Sequence, residues 1–179
     1  MDKDVAVVGL YCDFHSQQEQ STTNMLGAML KQLASRGGIP DYTRKAFRDA
    51  QKEFGGQGLQ LPDIVVMLKK TITTLPRLFI CIDALDECTP SHRRELLESL
   101  REIVGVSPGV RVFLTGRPHI DDEIGGCFSG ALRIPLSPTY RDIMDYLQMR
   151  LNGDTNPHVM NNELRADIRR IIPEKISER

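Results

Sequence analysis

Leu78-Phe79-Ile80-Cys81-Ile82-Asp83-Ala84-Leu85-Asp86-Glu87-Cys88 is the stretch that decides the fold. Five apolar residues, Leu78 to Ile82, run straight into Asp83, and two further acids follow at Asp86 and Glu87. A continuous apolar run of this length predicts a strand buried on both faces of a parallel sheet. A carboxylate is costly to bury without a partner, so an acid ending such a strand is expected in a polar cleft.

Outward from that strand the pattern alternates. Upstream, Pro62 suits the first turn of a helix whose stripe is Ile64, Val65, Leu68, Ile72 and Leu75, ended by Pro76. Further upstream, Val5 to Phe14 predicts a first strand. Ser21 or Thr22 then caps a helix carrying Met25, Leu26, Met29, Leu30 and Leu33, stopped at Gly37-Gly38. Between these helices, Asp41 caps a weaker helix through Phe47 to Phe54, and Gly55, Gly56 and Gly58 make a loop. No Lys-Ser/Thr follows that glycine cluster and no strand precedes it, so it reads as a connection rather than a phosphate cradle.

Downstream, Thr89-Pro90 starts a helix with Leu96, Leu97, Leu100, Ile103 and Val104 inside. Ser107-Pro108-Gly109 turns the chain into a third strand, Arg111 to Thr115, and a fourth short strand is expected at Ala131 to Leu136. Beyond Pro138 one helix is marked by Ile143, Tyr146, Leu147 and Leu151. A second is marked by Leu164, Ile168, Ile171 and Ile172 and broken at Pro173. The βαβαβ order followed by helices predicts a three-layer α/β fold with a parallel sheet over residues 1–137, and a helical segment over 138–179.

Composition narrows the function classes. A net charge of −1 argues against a nucleic-acid clamp or an anionic membrane surface. No apolar stretch approaches the ~20 residues that span a bilayer, and Met1-Asp2-Lys3-Asp4 carries no targeting pattern. A cytoplasmic protein is expected. The four cysteines form no Cys-x-x-Cys pair, so reduced thiols are expected rather than zinc, with Cys12 and Cys81 acting as small hydrophobes in strands. The histidines lie at loops or helix starts without a catalytic partner.

The chemistry gathers at strand ends. In a parallel sheet the C-terminal ends of neighbouring strands line one crevice, which brings Asp83, Asp86 and Glu87 towards Arg117. Carboxylates for Mg²⁺ and for orienting water, with an arginine for phosphate charge, are what a nucleoside triphosphatase needs. Thr115 either contacts phosphate or ends its strand.

LFICIDALDEC (residues 78–88) resembles the extended acidic strand motif of the NACHT class of signal-transduction NTPases. In that motif a small residue follows the metal-binding Asp, as Ala84 does, and acids come two and three positions later, as Asp86 and Glu87 do. RVFLTGRPHI (residues 111–120) is similar to the same family's sensor strand. VVGLYCDF (residues 7–14) with the helix after it resembles the second strand and helix of fungal NACHT proteins, whose core is also described as a nephrocystin-like N-terminal domain. The resemblance implies a P-loop NTPase core with Asp83 on Mg²⁺ (Walker B), Asp86 or Glu87 orienting water, and Arg117 as the sensor of the γ-phosphate of ATP or GTP. It further implies switch-like homo-oligomerisation, and protein partners reached through ankyrin, tryptophan-aspartate or effector domains outside this chain. No nucleic-acid or membrane partner is implied.

One element departs from that family. No Gly-x-x-x-x-Gly-Lys-Ser/Thr phosphate loop (Walker A) occurs in the 179 residues. The family's strand order is 5-1-4-3-2, so the chain is expected to hold strands 2 to 5 without strand 1, followed by the beginning of a helical lid. It then reads as a fragment or a truncated product that does not hydrolyse nucleotide alone. The alternative is a non-catalytic interaction or regulatory remnant.

Overall fold

The computed structural model describes residues 5–35, 45, 48, 59–153 and 160–177. Apart from residue 48, the helix expected at 47–54 falls outside them, as do the glycine loop at 55–58 and the stop at Gly37-Gly38. The described residues belong to two compact units, Met1–Ala131 and Leu132–Arg179.

In the first unit three parallel strands form one sheet in the order β1 (Val5–Tyr11), β2 (Arg77–Asp83), β3 (Val110–Leu114). The register pairs Tyr11 with Asp83 and Ile82 with Leu114, so all three strands end together. Helix α1 (Thr22–Ser35) and helix α2 (Leu61–Ile72) lie between β1 and β2, and α3 (Pro90–Val104) lies between β2 and β3. The local chemistry sets these boundaries. The Asn24 N–H reaches Ser21 Oγ at 3.2 Å, Pro62 occupies the first turn of α2, and the Thr89 hydroxyl accepts from the His92 N–H.

The core lies on one side of the sheet. Ala6, Val8, Leu78, Ile80, Ile82 and Val110 are buried with Leu26, Leu30, Leu68, Leu97 and Leu100 of the helices. Val7, Tyr11, Cys81 and Phe113 face outward and are exposed. The expectations of a strand buried on both faces, of a three-layer arrangement and of Cys81 as a core residue are therefore corrected for the described residues of the first unit, which form two layers. Connection sense is the physical reason. Both crossovers run the same way along the sheet, and right-handed crossovers in one direction stack their helices on one face.

At Gly9 the outer edge of β1 is capped by a side chain. Gln32 of α1 accepts from the Gly9 N–H at 2.9 Å and donates to the Gly9 carbonyl at 2.8 Å. At the other end of the sheet, Gly109 enters β3 so close to the Pro76 carbonyl that a Cβ would collide with it.

A further expectation is overturned. Ala131 to Leu136 forms no strand, and Leu132, Ile134 and Leu136 are exposed. The alternation there is real, but a strand exists only by pairing, and Pro135 also removes a ladder donor. A short helix unread in the sequence, α4 (Asp121–Cys127), follows a 3-10 turn at Pro118–Ile120. Three acids in its first turn favour that start.

The second unit is a helix pair, α5 (Tyr140–Asn152) and α6 (Asn162–Ser177). Thr139 and Asp142 form a capping box at the start of α5, and Ile143, Leu147 and Leu151 are its buried stripe. Arg165 donates to the Leu151 carbonyl at 2.8 Å and Arg169 to Gln148 at 2.7 Å, tying the pair together. Helix α6 runs through Pro173 rather than breaking there. One lost backbone bond is tolerated where a neighbouring helix supports the turn.

Candidate functional site: an acidic rim at the strand ends

The five residues singled out by the sequence sit on one rim, formed by the C-terminal ends of β2 and β3. Asp83 ends β2 and is exposed. Its carboxylate accepts a short hydrogen bond from the Thr115 hydroxyl, just past β3. The same hydroxyl accepts from the Ala84 N–H at 2.9 Å, and the Thr115 carbonyl accepts from the Leu85 N–H at 2.9 Å. Thr115 therefore fastens the two strand ends together as well as lying beside the acid.

The chain then reverses sharply. Ala84 adopts φ 55° and ψ 44°, a left-handed conformation that an alanine enters at a cost of roughly 1–2 kcal/mol. The bonds from Thr115 over-determine this geometry, and a 3-10 turn at Leu85–Glu87 follows. Leu85 drops into the core while Asp86 and Glu87 turn towards β3.

Arg117 meets both acids. Its Nε lies 3.3 Å from Asp86 Oδ2, its Nη2 lies 3.3 Å from Glu87 Oε1, and its backbone N–H donates to Asp86 Oδ1 at 3.3 Å. The Asp86 side chain is 6% exposed, whereas that of Arg117 is 71% exposed. Gly116 permits the approach, since a Cβ there would press on Ile120 Cδ1 at 2.6 Å.

Sequence reasoning missed the support beneath the rim. Arg93 of α3 is buried, and its Nε and Nη2 each lie 2.8 Å from a different oxygen of Glu123 in α4. Its Nη1 donates to the Cys88 carbonyl at 3.1 Å, which holds the end of the acid turn. The Arg93 hydrogen bonds hold the Glu123 carboxyl below its usual range, and the Glu123 hydrogen bond raises the Arg93 pKa in return. Gln17 adds a tether at 2.6 Å to the Glu87 carbonyl. A signal for Arg93 was present, because it falls on the helical stripe with Leu96, Leu97 and Leu100.

Among the described residues no group of three or more His, Cys, Asp or Glu could hold a metal ion. Asp83 supplies one exposed carboxylate. That fits the protein's share of a magnesium shell completed by phosphates and water, and it does not fit an all-protein cation cage. No helix among the described residues is long and apolar enough to cross a membrane.

No curated protein and no solved structure matches the chain. A family model described as Nephrocystin 3, N-terminal, matches residues 2–117. That span includes β1 to β3 and every residue of the acidic rim. On this match the chain belongs to the nephrocystin 3 N-terminal family.

Proposed function

We propose that the chain is part of a NACHT-type signalling NTPase, a Mg²⁺- and nucleotide-dependent molecular switch acting in the cytoplasm. The observation that supports this most is the meeting of Asp83, Asp86, Glu87, Thr115 and Arg117 at one parallel-strand edge. In this reading Asp83 would hold the magnesium ion, which would supply charge neutralisation to the phosphates when bound, and Thr115 would contact phosphate. Asp86 or Glu87 would orient water once Arg117 turns outward to phosphate, and the high exposure of Arg117 leaves its guanidinium free to turn. The helix pair would be the start of a helical lid. Protein partners would be reached through repeat or effector domains of a longer, homo-oligomerising protein.

With no Walker A sequence in the chain, weak nucleotide binding and no turnover are expected from it alone. The test is calorimetric titration of the purified chain with ATP and GTP analogues, with and without Mg²⁺, beside Asp83→Ala. Binding that strengthens with Mg²⁺ and loses that dependence in the variant supports the switch. Binding indifferent to both Mg²⁺ and Asp83 refutes the metal assignment.

A second reading, a non-catalytic interaction or regulatory module, is favoured by the open face of the sheet. There Phe79 and Phe113 pair with ring centroids 6.2 Å apart, beside exposed Val7 and Tyr11. No Mg²⁺-dependent nucleotide binding at millimolar concentration would decide for it.

A further inference from the structure

Behind the acidic rim, two cysteines from distant parts of the sequence face each other in the interior. Cys12 follows β1 and is 1% exposed, and Cys88 follows the acid turn and is 2% exposed. Their Sγ atoms are 3.1 Å apart, although 76 positions separate them in the chain. A disulfide is about 2.05 Å long, so roughly 1 Å of closure separates this contact from a covalent bond.

The backbone on both sides is already fixed. The Cys12 N–H donates to the Asp83 carbonyl at 3.0 Å, and the Cys88 N–H donates to the Leu85 carbonyl at 3.2 Å. Arg93 Nη1 holds the Cys88 carbonyl from the opposite side.

The two thiols are chemically unequal. The hydrogen bond with Cys12 lowers the Cys88 pKa, and the nearby Arg93 charge adds to this against the opposing effects of burial and Asp86. At 3.1 Å each sulfur is placed to resolve an oxidised form of the other. A polar side chain neighbours the pair. Gln20 Oε1 lies 3.9 Å from Cys88 Sγ, and the Gln20 amide closes the loop over the pair by bonding the N–H and the carbonyl of Asp13.

We propose that Cys12 and Cys88 form a peroxide-sensitive dithiol that closes to an intramolecular disulfide, tying the end of β1 to the acid-bearing turn. The Cys88 thiolate attacks the O–O bond of hydrogen peroxide, forming Cys88 sulfenic acid and releasing hydroxide, which becomes water with the thiol proton. Cys12 then attacks the sulfenic sulfur, forming the S–S bond and expelling the second oxygen as water. Two thiols are oxidised and one peroxide is reduced to two waters. A thiol reductant reverses the bond. This site stands independently of the nucleotide reading.

The experiment treats the purified chain with hydrogen peroxide, blocks remaining thiols under denaturing conditions, and maps unreduced peptides by mass spectrometry. The expected product is a Cys12–Cys88 linked peptide, with the denatured thiol count falling from four to two and returning to four with dithiothreitol. The Cys81→Ser/Cys127→Ser double variant should form the same link, because those cysteines are not involved. Oxidation confined to Cys81 and Cys127, or Cys88 advancing to sulfinic acid with no linked peptide, would overturn the proposal.

Discussion

Two arginine–carboxylate groups flank the same turn, and they are built for opposite purposes. Arg93 is sealed under the turn, gripping both oxygens of Glu123 at 2.8 Å and the Cys88 carbonyl as well. Arg117 lies on the outer side, 71% exposed, and reaches Asp86 and Glu87 only at 3.3 Å. The first pair is a fixed support and the second is a displaceable one. Burial, more than the identity of the residues, decides which role an arginine takes.

The largest expected effect comes from the sealed pair. Glu123→Gln leaves a buried guanidinium without its counter-charge, a change that costs roughly 3–5 kcal/mol at a fully buried site. With the Glu123 side chain 34% exposed, solvent reduces this to about 2 kcal/mol. Urea unfolding should read that loss, and a change within 0.5 kcal/mol would place the pair in the same class as Arg117.

Acid should reveal the same pair. The Glu123 carboxyl is held below its ordinary value of 4.5, so the unfolded chain takes up that proton more readily than the folded one. Its stabilisation is complete above that ordinary value and fades as pH falls through the lower folded value. The Glu123→Gln chain should therefore lose this part of the acid slope. An unchanged slope would show that the carboxyl is not held in solution as the geometry implies.

The strained turn between the two arginines gives a gain rather than a loss. Ala84→Gly removes the clash of a Cβ in the left-handed region and should stabilise the chain by about 0.5–1 kcal/mol, since the added freedom of the unfolded glycine offsets part of the relief. A destabilised variant would mean that the turn is relaxed in solution. The smallest effect is expected at the displaceable arginine. Arg117→Ala should shift unfolding by about 0.5 kcal/mol, because the backbone N–H of residue 117 still reaches the buried Asp86 carboxylate, and a loss of 2 kcal/mol would erase the contrast with Arg93.

The acidic strand and its meeting with Arg117 were legible because both rest on short-range signals. An apolar run ending in acids marks β2, and parallel strands put consecutive strand ends on one edge. One-sided burial was not legible, since Leu78 to Ile82 would read the same whichever faces were covered. The direction of the two crossovers carries that information, and no local pattern encodes it. The Arg93–Glu123 pair was half legible. Arg93 stands in an apolar stripe, but its partner lies in a seven-residue helix carrying Gly125-Gly126, which hides the helical period. Cys12 and Cys88 had no spacing rule to join them, because their contact is made by strand order. Ala131 to Leu136 shows the reverse error, where a correct alternation was read as a strand without a partner to pair with.

The clasp of Gln32 on Gly9 blocks one point on the margin of the sheet. One amide side chain answers both backbone groups at that point, so an incoming polypeptide finds no vacant donor and acceptor there. Replacing that single glutamine would return one donor and one acceptor of the β1 margin to any strand that approached it.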